Sequence, residues 1–447
     1  MMNRYMCFFR LPLELMSVFR IAGRDEDSEV LQDGEGRFII PGTSIAGAVK
    51  AFWQIEFPKD WARLLGSEED NSQAYFYDAI CENVQYEKRV GVKIDDRYGV
   101  VKKGQLYSQY FIGQGMKCDL RIQFAISETD RDIVFRMIQS LVKAINIGRV
   151  RFGAKKVNGA GVFRVKKATY RLFDLEDKQA LHAYLDTDIL EQFSHCNTVI
   201  DDADSCELTD TEWMNYQLTV DIPDGLLVRS GEKESGAGSV AVNMSKMFDG
   251  EERYYIPAST IKGLIRSQAS RIGSVFGIED RTIQSIFGHD SNSDFDPMAG
   301  AVYTEDCLIE KPKETIYHRL KIDRLTGAGM NGALLNEKVL STETKSNTVI
   351  RVAVDRERLR NRDPKEGERL WKIANAFVFL TMRDLGTGRL TIGSGESVGY
   401  GYMEASSLKI NELECVFDAK THTINAAEGE AMIQGWLSEL EVPNEEG

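Results

Sequence analysis

Two strings in this chain set a carboxylate at one distance from a proline. DSEVLQDG at 27–34 and NMSKMFDG at 243–250 put Asp33 and Asp249 eight residues ahead of Pro41 and Pro257. Asp27 opens the first string and Asn243 falls at its place in the second, so only one copy offers a carboxylate there. A carboxylate can take up a proton or hold a divalent cation, whereas an amide cannot serve as a general base. The second string therefore reads as silent. Asp27 also belongs to RDEDSE at 24–29, which by itself describes an acidic surface loop.

Cationic chemistry is concentrated elsewhere. Residues 143–167 hold eight Lys or Arg and no acid, and the glycines among them let backbone amides approach a phosphate closely. Residues 88–117 hold seven basic residues against Asp95 and Asp96. Seven scattered cysteines lack a CxxC spacing, and His195, Cys196 and Cys206 lack the fourth ligand and the short spacing of a zinc site. His182, His289, His318 and His422 make no triad or metal pattern.

The elements that position these groups are written twice. FIIPGTSIAGAVKAFW at 38–53 returns as YYIPASTIKGLIRSQA at 254–269, an offset of 216. VKIDDRYGVVKKGQLY at 92–107 returns as LKIDRLTGAGMNGALL at 320–335, an offset of 228, and glycine-rich segments follow at 145–165 and 390–403. Three elements in one order point to an internal duplication. Each copy is expected to open with a strand, at 8–21 and 216–228. An Ile-Pro turn then leads into a helix capped by the hydroxyls of Thr43 and Ser44 or of Ser259 and Thr260. Strands at 117–126 and 348–354, helices at 131–145 and 366–382, and a strand after each glycine loop complete the pattern. Strand-helix-strand with antiparallel returns indicates an α+β sandwich in each half.

At 447 residues the chain exceeds an ordinary single domain, and 43% hydrophobic with 28% charged residues describes a globular protein. No stretch reaches the roughly 18 apolar residues of a membrane span. The opening apolar run is broken by Arg4, Arg10 and Glu14, which reads as a strand rather than a leader, so a cytoplasmic location is expected. The formal charge of −14 is uneven. Residues 174–212 carry twelve acids against Lys178 alone and residues 411–447 nine against Lys420 alone, leaving the remainder at +5. The expected organisation is a first domain at 1–173, an acidic connector at 174–212, a second domain at 213–410 and an acidic tail at 411–447.

Together the Ile-Pro helix start, the KID(R)xxTG hairpin and the terminal GxG[YF]G loop resemble the RAMP superfamily of CRISPR-associated proteins. The likeness is to the backbone subunits of type III effector complexes, with two fused domains as in type III-D-like double-backbone subunits. It implies a ferredoxin-like, RRM-like core in each half, with a β-hairpin thumb that presses between guide and target RNA. The partners implied are guide CRISPR RNA, target RNA and the other type III subunits, without a membrane. RNA-contacting positions carried over are Thr43, Ser44, Lys50, Lys93, Arg149, Arg151, Lys155, Lys156 and Asn158 in the first copy. In the second they are Ser259, Thr260, Lys262, Arg266, Lys321 and Arg324. Asp27 matches the aspartate with which target-cutting members cleave RNA, attack coming from the neighbouring ribose 2′-hydroxyl, with a magnesium or manganese ion as a possible cofactor. The alternative is a non-catalytic backbone or capping subunit. A guide-processing endoribonuclease of the same fold commonly uses a histidine, and none precedes His182. An unrelated RRM-like binder would carry RNP aromatic strings that are missing here.

Overall fold

The computed structural model describes residues 4–21, 31–66, 71–94, 101–200, 208, 213–234, 240–248, 251–289, 298–418, 421, 423–425 and 429–441. Asp27 and Asp249 lie outside the described residues. The chain forms two compact units, one of residues 1–89, 109–156 and 160–211, the other of 90–108, 157–159 and 212–447. Both are mixtures of helix and sheet, so the fold is α+β.

The first unit is built on β1 (Tyr5–Leu15), β2 (Ala79–Glu82), β5 (Lys117–Ile126) and β6 (Thr169–Asp174); between β2 and β5 the chain makes the hairpin β3 (Tyr86–Ile94) with β4 (Val101–Ile112), whose residues 90–108 fall in the second unit. Neighbours run β6, β1, β5, β2, all antiparallel. Alternation along β1 sends Cys7, Phe9, Leu11 and Leu13 into a core shared with α1 (Gly42–Glu56) and α2 (Arg131–Asn146). Phe8 faces the other way, between Phe173 and Phe193. The helices that cover it, α3 (Lys178–Leu185) and α4 (Ile189–Ser194), come from the acid-rich stretch after β6. Each opens on an aspartate N-cap, Asp177 and Asp188, which uses part of that acidity to satisfy orphan amides.

The second unit repeats the plan with β7 (Trp213–Asp221), β8 (Val302–Thr304), β11 (Thr348–Asp355) and β12 (Glu404–Ile410), ordered β12, β7, β11, β8. Its hairpin is β9 (Pro312–Ile322) with β10 (Gly329–Thr342). Its helices are α5 (Ala258–Phe276) and α6 (Gly367–Gly386). Strand β13 (Leu413–Asp418) extends the sheet, and α7 (Glu430–Leu437) packs Trp436 at 2% exposure beside Tyr216 and Trp371. The acid-rich end of the chain is thus part of this core, with Cys415, Ile433 and Leu440 buried in it.

One local expectation is corrected. The hydroxyls of Thr43, Ser44, Ser259 and Thr260 do not cap α1 and α5, whose N-caps are Pro41 and Pro257 with no side-chain cap. The helices begin at Gly42 and Ala258, two residues earlier than a Thr43 or Ser259 cap requires, because a proline fixes φ where a helix starts and has no N–H to satisfy. Instead Asp78 Oδ1 accepts the Gly42 N–H at 2.7 Å and Asp306 Oδ1 accepts the Ala258 N–H at 2.9 Å. A carboxylate at a helix N-terminus also meets the positive end of the helix dipole.

Candidate nucleic-acid interface

The two glycine loops share one backbone course. Positive φ recurs at Gly148, Gly153, Lys155, Gly159 and Gly161, and at Gly388, Gly393, Gly395, Gly399 and Gly401, a constant offset of 240. Each loop encloses a short 3-10 turn, Lys156–Asn158 and Glu396–Val398. Each is pinned to the chain leaving its unit's first strand: Gly161 N–H donates to Val18 O and Ala154 N–H to Arg20 O, while Gly401 N–H donates to Gly225 O and Ser394 N–H to Leu227 O. The closing glycine is steric as well as conformational. A Cβ on Gly161 would lie 1.9 Å from Phe152 O, and one on Gly401 2.3 Å from Ile392 O.

Charge separates the loops. The first carries Arg149, Arg151, Lys155 and Lys156, but two of these have structural duties. Arg149 pairs with Glu56 at 3.3 Å and lies over Phe52, tying the loop to α1. Arg151 is 7% exposed and donates to the carbonyls of Gly148 and Lys156, bracing the loop from within. Lys155 is exposed, on a left-handed backbone whose counterpart in the second loop is Gly395. Lys156 and Asn158 are half-buried. The second loop keeps Arg389 and adds Glu396.

At the helix starts, Thr43, Ser44 and Ser259 are exposed and Thr260 half-buried. Lys50 sets its ammonium 5.1 Å over the Trp61 ring, and Arg266 donates to Gly288 O at 3.0 Å. Lys262 is half-buried. Lys321 and Arg324 stand exposed at the tip of the β9–β10 hairpin. There Asp323 closes the turn by accepting the Leu325 and Thr326 N–H groups, which hold its carboxyl below the ordinary aspartate range, those of Thr326 and Leu325 first. The side chain of Lys93 lies outside the described residues.

Around the carboxylate strings, Asp33 is engaged: it accepts from Glu35 N–H and Arg37 N–H and pairs with the Arg37 guanidinium at 2.8 Å. Asn243 is 2% exposed, with Oδ1 accepting Val228 N–H at 2.7 Å and Nδ2 donating to Lys338 O at 2.8 Å. Among the described residues no three His, Cys, Asp or Glu gather into a metal-holding group. Cys196 is buried with its thiol directed at Phe8 O, and His195 Nδ1 is 3.2 Å from Arg171.

A group that sequence reasoning missed lies at the base of the second hairpin. Glu337 on β10, 4% exposed, meets Arg229 at 2.8 Å and Arg319 at 3.3 Å. Arg319 also donates to the Tyr400 hydroxyl at 2.5 Å, and Tyr317 packs 6.0 Å from the Tyr400 ring. Burial pushes the Tyr400 phenol up while the Arg319 guanidinium opposes it. These residues are far apart in sequence, and the only signal was Tyr400 inside the GYGY string.

The RAMP superfamily model matches residues 15–164 and 223–404. The chain therefore belongs to the RAMP superfamily, in two successive regions. Among solved structures, one similar chain comes from a cryo-EM structure of the type III-B Cmr-beta bound to cognate target RNA. Identity is 13% and the TM-score 0.30, over 37% of this chain and 60% of that one, so the chain spans less than two thirds of that relative. Among curated proteins no match is found. Among the described residues no helix is long and apolar enough to cross a membrane.

Proposed function

We propose that this protein is a double backbone subunit of a type III CRISPR effector complex, binding guide RNA and cutting complementary target RNA at its first repeat. The observation that carries the reading is the pair of family regions, each ending in a loop with the same five positive-φ positions. Support for a ferredoxin-like core comes from the strand order, fourth beside first, first beside third, third beside second, in both units. Support for the thumbs comes from a long hairpin that follows the second strand in each copy. Backbone amides and cations in a loop contact phosphates without reading sequence, as a subunit accepting any guide requires.

Cleavage rests on Asp27 and its place in DSEVLQDG. The protein's part would be to hold the target nucleotide in line with its own 2′-hydroxyl and to place one carboxylate near the scissile phosphate. A magnesium or manganese ion would add charge stabilisation there. The partners in this reading are guide RNA, target RNA and the other subunits, in the cytoplasm. The test is a gel of end-labelled target RNA incubated with assembled complex. Asp27→Asn should abolish the cut beside the first repeat and leave guide and target binding nearly unchanged. Persistence of every product would leave a structural backbone subunit in its place.

A further inference from the structure

The second glycine loop keeps the backbone of the first and loses most of its charge. At the offset of 240, Arg151, Lys155 and Lys156 are replaced by Thr391, Gly395 and Glu396. The hairpin base changes as well. At its offset of 228, Arg319 and Glu337 stand where the first copy has Gly91 and Gln109, and Tyr400 stands where the first loop has Ala160. The second hairpin thus sets one arginine, Arg319, against the loop, and puts Tyr317 where the first copy has Arg89.

We propose that Arg229 and Arg319 form a nucleotide-binding clamp of the second unit, gripping one RNA phosphodiester while Tyr317 offers its ring to the adjoining base. The proposal rests on the RNA-binding reading above. Two guanidiniums meet one carboxylate, so the group is a net cation. The carboxylate side chain is 5% exposed, whereas those of Arg229 and Arg319 are 50% and 31% exposed. Glu337 is therefore the buried fixture, and both cations keep N–H groups toward solvent. An arginine forked toward a phosphate donates in pairs, and holding it in place beforehand lowers the ordering cost of binding. Arg319 is fixed at three points: by Glu337, by the Tyr400 hydroxyl and by the face of the Tyr400 ring 4.8 Å away. Tyr317, 42% exposed and packed on Tyr400, supplies the apolar face that stacks a base of any identity.

The experiment is a salt titration of single-stranded RNA binding to the full chain, with log affinity plotted against log salt. Arg229→Gln with Arg319→Gln and Glu337→Gln removes the clamp without leaving a carboxylate buried alone. Loss of that one phosphate contact should flatten the slope by about 0.7. Should that variant fail to melt cooperatively, Arg229→Gln alone, at the more exposed cation, should flatten it by less than that. Tyr317→Ala should weaken binding about tenfold with the slope unchanged. Lys155→Gln with Lys156→Gln serves as the control in the first unit. If the control flattens the slope and the clamp variants do not, the clamp is overturned. If neither changes affinity or slope, the RNA-binding reading itself falls.

Discussion

The amide of Asn243 uses both of its ends inside the second unit, accepting from Val228 and donating to Lys338. That fixes what a substitution there can do. Asn243→Asp keeps the acceptor, loses the donor and buries a charge, so it should cost about 2–3 kcal/mol at neutral pH. Burial raises the folded pKa of such a carboxyl, and its protonated form can donate to Lys338 O. The deficit should therefore be smaller below the ordinary aspartate pKa and grow as pH rises through the raised value. Urea unfolding of both proteins at pH 4 and pH 7 measures it; an equal deficit at the two pH values would count against the buried donor. The position reads from sequence as a catalytic carboxylate gone silent, but the amide is a fastener, and converting it to a carboxylate is not expected to create a second cut. Lys155 is the complementary case. Its left-handed backbone favours glycine, so Lys155→Gly should raise stability by about 0.5–1 kcal/mol while weakening RNA binding. Thermal melts and a binding titration on one preparation would separate the two effects.

At the scale of elements, the helix starts depend on acids contributed from a distance. Asp78 and Asp306 each leave an N-terminal amide without its charged acceptor if removed, so Asp78→Ala should cost about 1–2 kcal/mol, and Asp306→Ala more, because it also strands the nearly buried Lys246 ammonium 2.9 Å away. Denaturant midpoints of the two single variants would show it, and no loss in either would mean that water replaces the carboxylate freely. Strands and helices were largely legible: the apolar-aromatic run at 117–126 is β5 and the Ile-Pro string located α1 and α5, whereas β1 and β7 stop at Leu15 and Asp221, short of the expected 8–21 and 216–228. Caps were not, because a hydroxyl after a proline looks like an N-cap, while the true acceptor sits 36 residues away in one case and 48 in the other. The repeat did hold a clue, since Asp78 and Asp306 stand 228 residues apart, the hairpin offset. The arginine clamp left no such trace, since its members come from three elements and lack counterparts in the first copy.

For the whole molecule, charge counting hides packing. Residues 411–447 look dispensable by composition, yet Cys415, Ile433, Trp436 and Leu440 lie in the second core. Fully buried side chains of this kind contribute about 1.5–3 kcal/mol each, so deleting 411–447 should leave the second unit open to protease while the first resists. Limited proteolysis followed by mass analysis reads this directly; equal resistance of both units would show that the core closes without its last helix. The β9–β10 hairpin carries a different consequence. Leu325 is 97% exposed, and Leu320, Ile322 and Leu334 are each more than half exposed. A tongue of this kind is a handling problem before it is anything else: in a concentrated preparation, tongues from neighbouring molecules can stick to one another. Leu320→Ser with Leu325→Ser and Leu334→Ser should raise the concentration at which the protein clouds and leave its melting temperature unchanged, because none of the three is holding the fold together.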